Sequence, residues 1–249
     1  MNEAVARVAG FFIDNLPTWK ELAIGGPLGL AWSFTALWMA GWLKRKGTKT
    51  GYTRKIFHFL IFGTVAGLQG RLGTPAVCLF GGMCTLAVFF AVWRGPGSML
   101  YEAMAREKDE PHRTFFILVP YVTTLLGGLI SNILFGSVAV AGYLVAGLGD
   151  AIGEPIGTMF GKHPYRVKSL PSVPAGRTLE GSAAVLVMSA AALALAAVVS
   201  PEITLAHGGM SRLLAIAAAS ALAEAISPHG WDNATMQVIP SALAWWWLT

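Results

Sequence analysis

Charge is what this chain has least of. Only 12% of its 249 residues are Asp, Glu, Lys or Arg, about half the ~25% usual in soluble domains. With 55% apolar residues, so few charges cannot cover a soluble globule, and a disordered chain would show the opposite bias. The composition is that of an integral membrane protein. Cysteine is nearly missing as well. Cys78 and Cys84 stand in one apolar run, which offers no disulfide framework and no zinc spacing, only small hydrophobic side chains. The start of the chain lacks a signal-peptide pattern: Glu3 precedes any apolar stretch, and the run 8–13 is short and without a small-residue cleavage site. Neither an internal repeat nor a low-complexity linker is visible. The formal net charge of +5 is therefore read by position along the chain and not as a nucleic-acid footprint.

What the chain does have is long apolar runs. A membrane-crossing helix takes about 20 largely apolar residues, and segments 24–43, 74–93, 115–134 and 181–200 supply them. Shorter or more polar candidates cover 56–69, 138–149 (continuing towards 160), 213–226 and 234–249. The expected fold is all-α, a polytopic membrane helix bundle with about eight transmembrane helices. Ahead of it Val5, Val8, Phe12 and Leu16 recur at helical spacing until Pro17, so residues 2–16 are expected to form a helix lying in the membrane interface. Residues 1–20 are set apart as that element, and 21–249 as a single transmembrane catalytic domain.

Alternating these spans places segments 44–55, 94–113 and 150–180 on one face. They carry six, four and four Lys or Arg, fourteen of the 18 in the chain. The positive-inside rule makes that face cytoplasmic, leaves both termini outside, and puts Trp245, Trp246 and Trp247 in an aromatic belt. The expected location is the cell (inner) membrane. Segment 94–113, where Glu102, Glu107, Asp109 and Glu110 alternate with Arg106 and Lys108, is expected to be a solvated helix or loop.

Ionisable groups in or beside a span are costly and call for a reason. Arg54-Lys55-Ile56-Phe57-His58 opens one span, with Arg54 and His58 on one helix face. It is either a positive-inside anchor or a phosphate contact with His58 as a polar group in a site. Further on, glycines 149, 153, 157 and 161 recur every four residues, which suits close helix packing. Packing does not require Asp150 and Glu154 one turn apart, and two such carboxylates can share a hydrated Mg²⁺. Bare backbone at Gly149 and Gly153 also admits phosphates. The stretch is no P-loop, since Ile156 stands where the first Walker Gly would fall and His163 replaces the Ser or Thr. In Gly176-Arg177-Thr178-Leu179-Glu180-Gly181-Ser182, Thr178 fits a helix cap and Glu180 suits the helix dipole. The Arg177 guanidinium beside them makes a phosphate-binding arrangement. Last, Glu224 sits in an apolar run ahead of Pro228-His229-Gly230-Trp231-Asp232-Asn233. An acid there opposes the dipole, while Gly230, Asp232 and Asn233 are turn formers by default. By the alternation of spans all four clusters reach one face, as an active site requires.

At these residues the sequence resembles the polyprenol kinase superfamily, which includes dolichol kinase, phytol kinase and their prokaryotic relatives. The matching pieces are RKIFH (54–58), GDAIGEPIGTMFGKHPY (149–165), GRTLEGS (176–182) and EAISPHGWDN (224–233), followed by Pro240. Arg177 stands where a Lys is usual, which keeps the charge and changes its geometry. Glu154 and Pro155 stand where that family has small apolar residues. The resemblance implies a CTP-dependent kinase that phosphorylates the hydroxyl of a membrane isoprenoid alcohol such as a polyprenol, dolichol or phytol. It implies Mg²⁺ on Asp150 and Asp232, with Glu154. Lys162 and Arg177 would neutralise phosphates, helped by Arg54 and Lys55. Gly149, Gly153, Thr178, Glu180 and Asn233 would complete the nucleotide cradle. Asp150 would work beside His58 or Glu224, one of which accepts or orients the alcohol proton. The same core also looks like phosphatidate cytidylyltransferase, an alternative that would use the CTP site for nucleotidyl transfer. A secondary transporter fits less well, because no half is repeated and the polar groups gather at one face. A scaffold would leave Asp150 and Glu224 without a purpose.

Overall fold

The computed structural model describes residues 3–206 and 208–249. Among the described residues the fold is all-α apart from one short hairpin, in keeping with the long apolar runs. Helix α1 (Glu3–Asp14) is followed by α2 (Trp19–Arg45), which starts at a capping box: Glu21 N–H donates to Thr18 Oγ1 at 3.2 Å and Thr18 N–H to Glu21 Oε2 at 2.7 Å. Then come α3 (Thr50–Leu72), α4 (Thr74–Arg94) and the short α5 (Met99–Glu102). The chain continues through α6 (Phe115–Phe135), α7 (Ala139–Leu144), a π turn over Val145–Asp150 and α8 (Ala151–Phe160). Strands β1 (Pro164–Val167) and β2 (Ala175–Thr178) pair antiparallel, Pro164 opposite Thr178 and Val167 opposite Ala175. Helices α9 (Leu179–Val199), α10 (Gly209–Ile226) and α11 (Asp232–Leu248) complete the bundle. Of the helix expected over residues 2–16, α1 forms Glu3–Asp14 and ends two residues early, residue 2 lying outside the described residues.

Among the described residues five helical stretches are long and apolar enough to cross a membrane: Trp19–Arg45, Thr74–Arg94, Phe115–Phe160, Leu179–Val199 and Gly209–Ile226. The 46-residue stretch Phe115–Phe160 is folded back on itself. Gly136 takes φ +57°, and the Tyr143 hydroxyl lies 3.4 Å from the Gly128 carbonyl. A straight helix would hold those residues about 22 Å apart. Helices α6 and α7 are thus two arms of a hairpin.

Small residues bring the helices together, as they do where lipid removes the hydrophobic drive between helices. A Cβ on Gly142 of α7 would fall on the Gln237 carbonyl of α11. The glycines of α8 and the π turn face α9: Gly149 meets Ser189, Gly153 meets Val185, and Gly157 and Gly161 meet Thr178. The main core gathers Phe62, Tyr143, Leu193, Ile216 and Met236, and a second cluster joins Leu37, Val88, Tyr101 and Met104.

One expectation fails here. Segment 94–113 is not a solvated excursion. Tyr101, Met104, Arg106 and Asp109 are buried, and the Thr53 hydroxyl ties α3 to this segment by donating to the Ala103 carbonyl at 2.9 Å. Its charges are satisfied internally: Arg106 Nε donates to Asp109 Oδ2 at 2.8 Å, Lys44 pairs with Glu107, and Arg113 with Glu102. The segment folds beneath one end of the bundle and closes the site described next.

Candidate functional site

Four segments of the chain meet at that end of the bundle. The first turns of α3 bring Lys55 and His58, the π turn brings Asp150, β2 brings Arg177, and the α10–α11 corner brings Glu224 and Asp232. π turns recur at functional sites because the wider turn re-aims its side chains. Asp150, Glu224 and Asp232 each present one carboxylate oxygen, all within 4.8 Å of one another, and all three residues are buried. Three acids so close and so dry need cations. Lys55 Nζ donates to Asp150 Oδ2 at 2.6 Å, and the pair is 6% and 4% exposed. Arg177 forks across the other two, with Nε 2.7 Å from Glu224 Oε1 and Nη2 2.9 Å from Asp232 Oδ2, and donates further to the Glu224 and Ser227 carbonyls. Lys55 and Arg177 between them pair with all three carboxylates, and Arg54 lines the same cavity as they do. The oxygen-only donor set is what a hard divalent cation such as Mg²⁺ takes, so the residues fit that ion.

A cavity of about 160 Å³ opens on these groups, lined also by Arg54, Arg106, Gly153 and Thr178. Of the residues singled out from sequence, Asp150, Asp232, Glu224, Arg177, Arg54, Lys55, Glu154, Gly153 and Thr178 all line it. Glu154 does so in a different role from the metal ligand expected. Arg106 at 3.2 Å and Lys108 at 3.1 Å hold its carboxylate, and Glu224 takes its place in the carboxylate trio. Gly149 is no phosphate approach, because the Ser189 hydroxyl of α9 packs where its side chain would be. Lys162 is exposed and outside the cavity lining. The Glu180 carboxylate turns outward to His163 Nδ1 at 2.7 Å. Asn233 anchors α11 to α6 instead, its amide donating to the Pro120 carbonyl at 2.9 Å and to Thr124 Oγ1 at 2.8 Å. Thr178 is the cap expected, accepting from Gly181 N–H at 3.1 Å. His58 Nε2 lies 2.9 Å from the Ala146 carbonyl and 3.6 Å from Asp150 Oδ2. A carbonyl only accepts, so Nε2 carries a proton, and in the neutral ring Nδ1 is the acceptor.

Arg106, Asp109 and His229 belong to the site and were not singled out from sequence, although HGWDN and the charge-rich segment flagged both regions. His229 Nε2 meets Arg106 and lies 3.5 Å from Asp109 Oδ1, with its ring against Phe116. Burial pushes the His229 imidazole below its ordinary pKa. Burial acts to raise the Asp109 carboxyl, but its neighbours His229 and Arg106, the latter hydrogen-bonded to both its oxygens, outweigh it and hold the group below the usual range. Burial likewise opposes the Arg177 charge, and the Asp232 and Glu224 carboxylates overcome it.

No family model, curated protein or solved structure matches this chain.

Proposed function

We propose that the protein is a CTP-dependent kinase that transfers the γ-phosphoryl group of CTP to the hydroxyl of a membrane isoprenoid alcohol, releasing CDP, with its site on the cytoplasmic face of the cell membrane. The observation that carries this is the meeting of Asp150, Glu224 and Asp232 oxygens within 4.8 Å, flanked by Lys55 and Arg177, in a cavity at one end of an apolar bundle. Phosphoryl transfer asks a protein mainly for positioning and charge neutralisation, and these groups supply both. The short pieces shared with polyprenol kinases add the substrate class and the nucleotide. Counting α3, both arms of the α6–α7 hairpin and α11 as crossings makes about eight, which agrees with the spread of Lys and Arg among the loops.

Asp150, Glu224 and Asp232 would hold Mg²⁺, which supplies charge neutralisation on the phosphates when bound. Arg177 keeps two of the carboxylates in place through its fork. Lys55 fixes the third, and Arg54 and Arg106 add positive charge on the cavity wall. Glu224, which also accepts from Ser182 Oγ at 3.4 Å, takes or orients the alcohol proton if Asp150 and Asp232 alone hold the ion; with all three as ligands the role falls to His58 through Nδ1. Tyr165 extends the first route, its hydroxyl 2.7 Å from Ser182 Oγ.

The test is purified protein in detergent with Mg²⁺, a panel of isoprenoid alcohols and γ-labelled CTP, UTP or ATP. Label in the lipid is the expected result. Label released as pyrophosphate with a nucleotide left on the lipid would replace the proposal with a cytidylyltransferase.

A further inference from the structure

Two apolar pockets, of about 80 and 280 Å³, lie between α3, α4 and α6 and share Ile61, Phe62, Cys84, Tyr121 and Thr124. They therefore form one groove. Its near end includes Arg54 and His58, and Arg54 also lines the charged cavity. Its far end reaches Phe11 and Phe12 of α1. Three features mark the groove as a seat and not a packing fault. Gly81 and Gly82 of α4 line it, and a Cβ on either would meet nothing within 4 Å. The charged or titrating side chains of its lining, apart from the two cysteines and the tyrosines, stand at the near end alone. And Arg54 Nη1 is buried without a hydrogen-bond partner, whereas Lys55, Arg106, Lys108 and Arg177 are each paired with a carboxylate. A buried guanidinium N–H without an acceptor is costly to leave unpaired.

We infer that this groove holds the single apolar chain of the lipid acceptor, with its hydroxyl at Arg54 and His58 and, once the phosphate has been added, the new anion on the Arg54 guanidinium. This rests on the proposed kinase function and adds where the lipid sits, that one chain is accommodated, and which residue retains the phosphorylated product. Uncharged lining along the length and a lone cation at the mouth suit a chain with one polar end.

The test uses the full chain in nanodiscs and a photoreactive long-chain isoprenoid alcohol, without nucleotide, so that it reads binding and not turnover. Label is expected on peptides carrying Phe62, Tyr121 and Tyr143, competed by unlabelled alcohol. Gly81→Phe, whose ring would fill the groove, is expected to cut the label about tenfold, with Gly81→Ala retaining it. The lipid monophosphate should compete better than the alcohol, and Arg54→Met should remove that advantage by about tenfold. Label on the lipid-facing Val187 and Leu214 instead, label that excess alcohol does not compete, or label unchanged by a folded Gly81→Phe would each overturn the inference. A labelled groove in a protein that transfers no phosphate sinks the kinase function alone. Transfer undiminished in Gly81→Phe sinks the groove alone.

Discussion

Asp150 and Lys55 hold each other at 2.6 Å with almost no contact with water, so neither can be changed alone without leaving a buried charge. Asp150→Asn is expected to abolish product formation and also to cost about 3–5 kcal/mol of stability, read as a lower Tm in detergent. Adding Lys55→Met should restore the Tm and leave activity absent, which separates the chemical role from the structural one. Arg177 contacts two carboxylates and two carbonyls at once. Arg177→Lys keeps the charge and loses the fork, and a fall of roughly 10–100-fold in kcat/KM is expected, equivalent to about 1.4–2.8 kcal/mol. His229 tests pH. Its folded pKa lies below its ordinary 6.5 because it is buried against Phe116 and because Arg106 and Arg54 repel its charge, which together outweigh the pull of Asp109. The unfolded state therefore binds the proton first, and stability present above 6.5 is lost as pH falls towards the folded value. The Tm of the wild type should drop between about pH 7 and 5, and His229→Gln should flatten that slope. A slope unchanged by the substitution would remove His229 from the account.

At the scale of elements, the glycines of α8 decide how the site is assembled. Gly157 lies so close to α9 that a Cβ would sit 2.7 Å from Thr178 Oγ1, the atom that caps α9. Gly157→Val should push α8 from α9, cost about 1–3 kcal/mol, and lower activity with it, because Arg177 is the residue before the cap. Gly63→Ala on α3, where a Cβ meets nothing within 4 Å, should change neither Tm nor turnover. The repeat of glycines every four residues was legible in the sequence as packing. That it packs on α9, and so denies Gly149 to a phosphate, was not. The hairpin β1–β2 was not legible either: four residues per strand, paired only with each other, carry too little alternation to stand out between two helices.

For the whole molecule, the basic segments converge at one end: Lys44 meets Glu107, Lys55 meets Asp150, and the Lys168 carbonyl accepts from His229 N–H at 2.8 Å. Arg71, at the last turn of α3, and Arg212, which donates to the Trp247 carbonyl at 2.9 Å, mark the opposite end. Single cysteines placed at Lys49 and Lys168 in a background lacking Cys78 and Cys84 should react with a membrane-impermeant maleimide from the cytoplasmic side only. Cysteines at Arg71 and Arg212 should react from the other side only. All four reacting from one side would refute the crossing scheme.

Composition and apolar runs by themselves determined that the chain is helical and membrane-bound, since backbone groups in lipid must pair within their own segment and a long uncharged run can do that only as a helix. Local chemistry also marked Asp150, Arg177, Glu224 and Asp232, because an ionised group beside an apolar run is expensive wherever it stands. Only the tertiary structure decided the partners. Glu154 and Asp150 are four residues apart, yet Arg106 and Lys108 claim the first while Glu224, 74 residues beyond Asp150 in the chain, joins the second. Arg106 and Asp109 lie in a segment whose mixed charges read as solvated until folding buries each against the other. Ion pairs are chosen by distance in space, and spacing along the chain limits that distance only within a single helix.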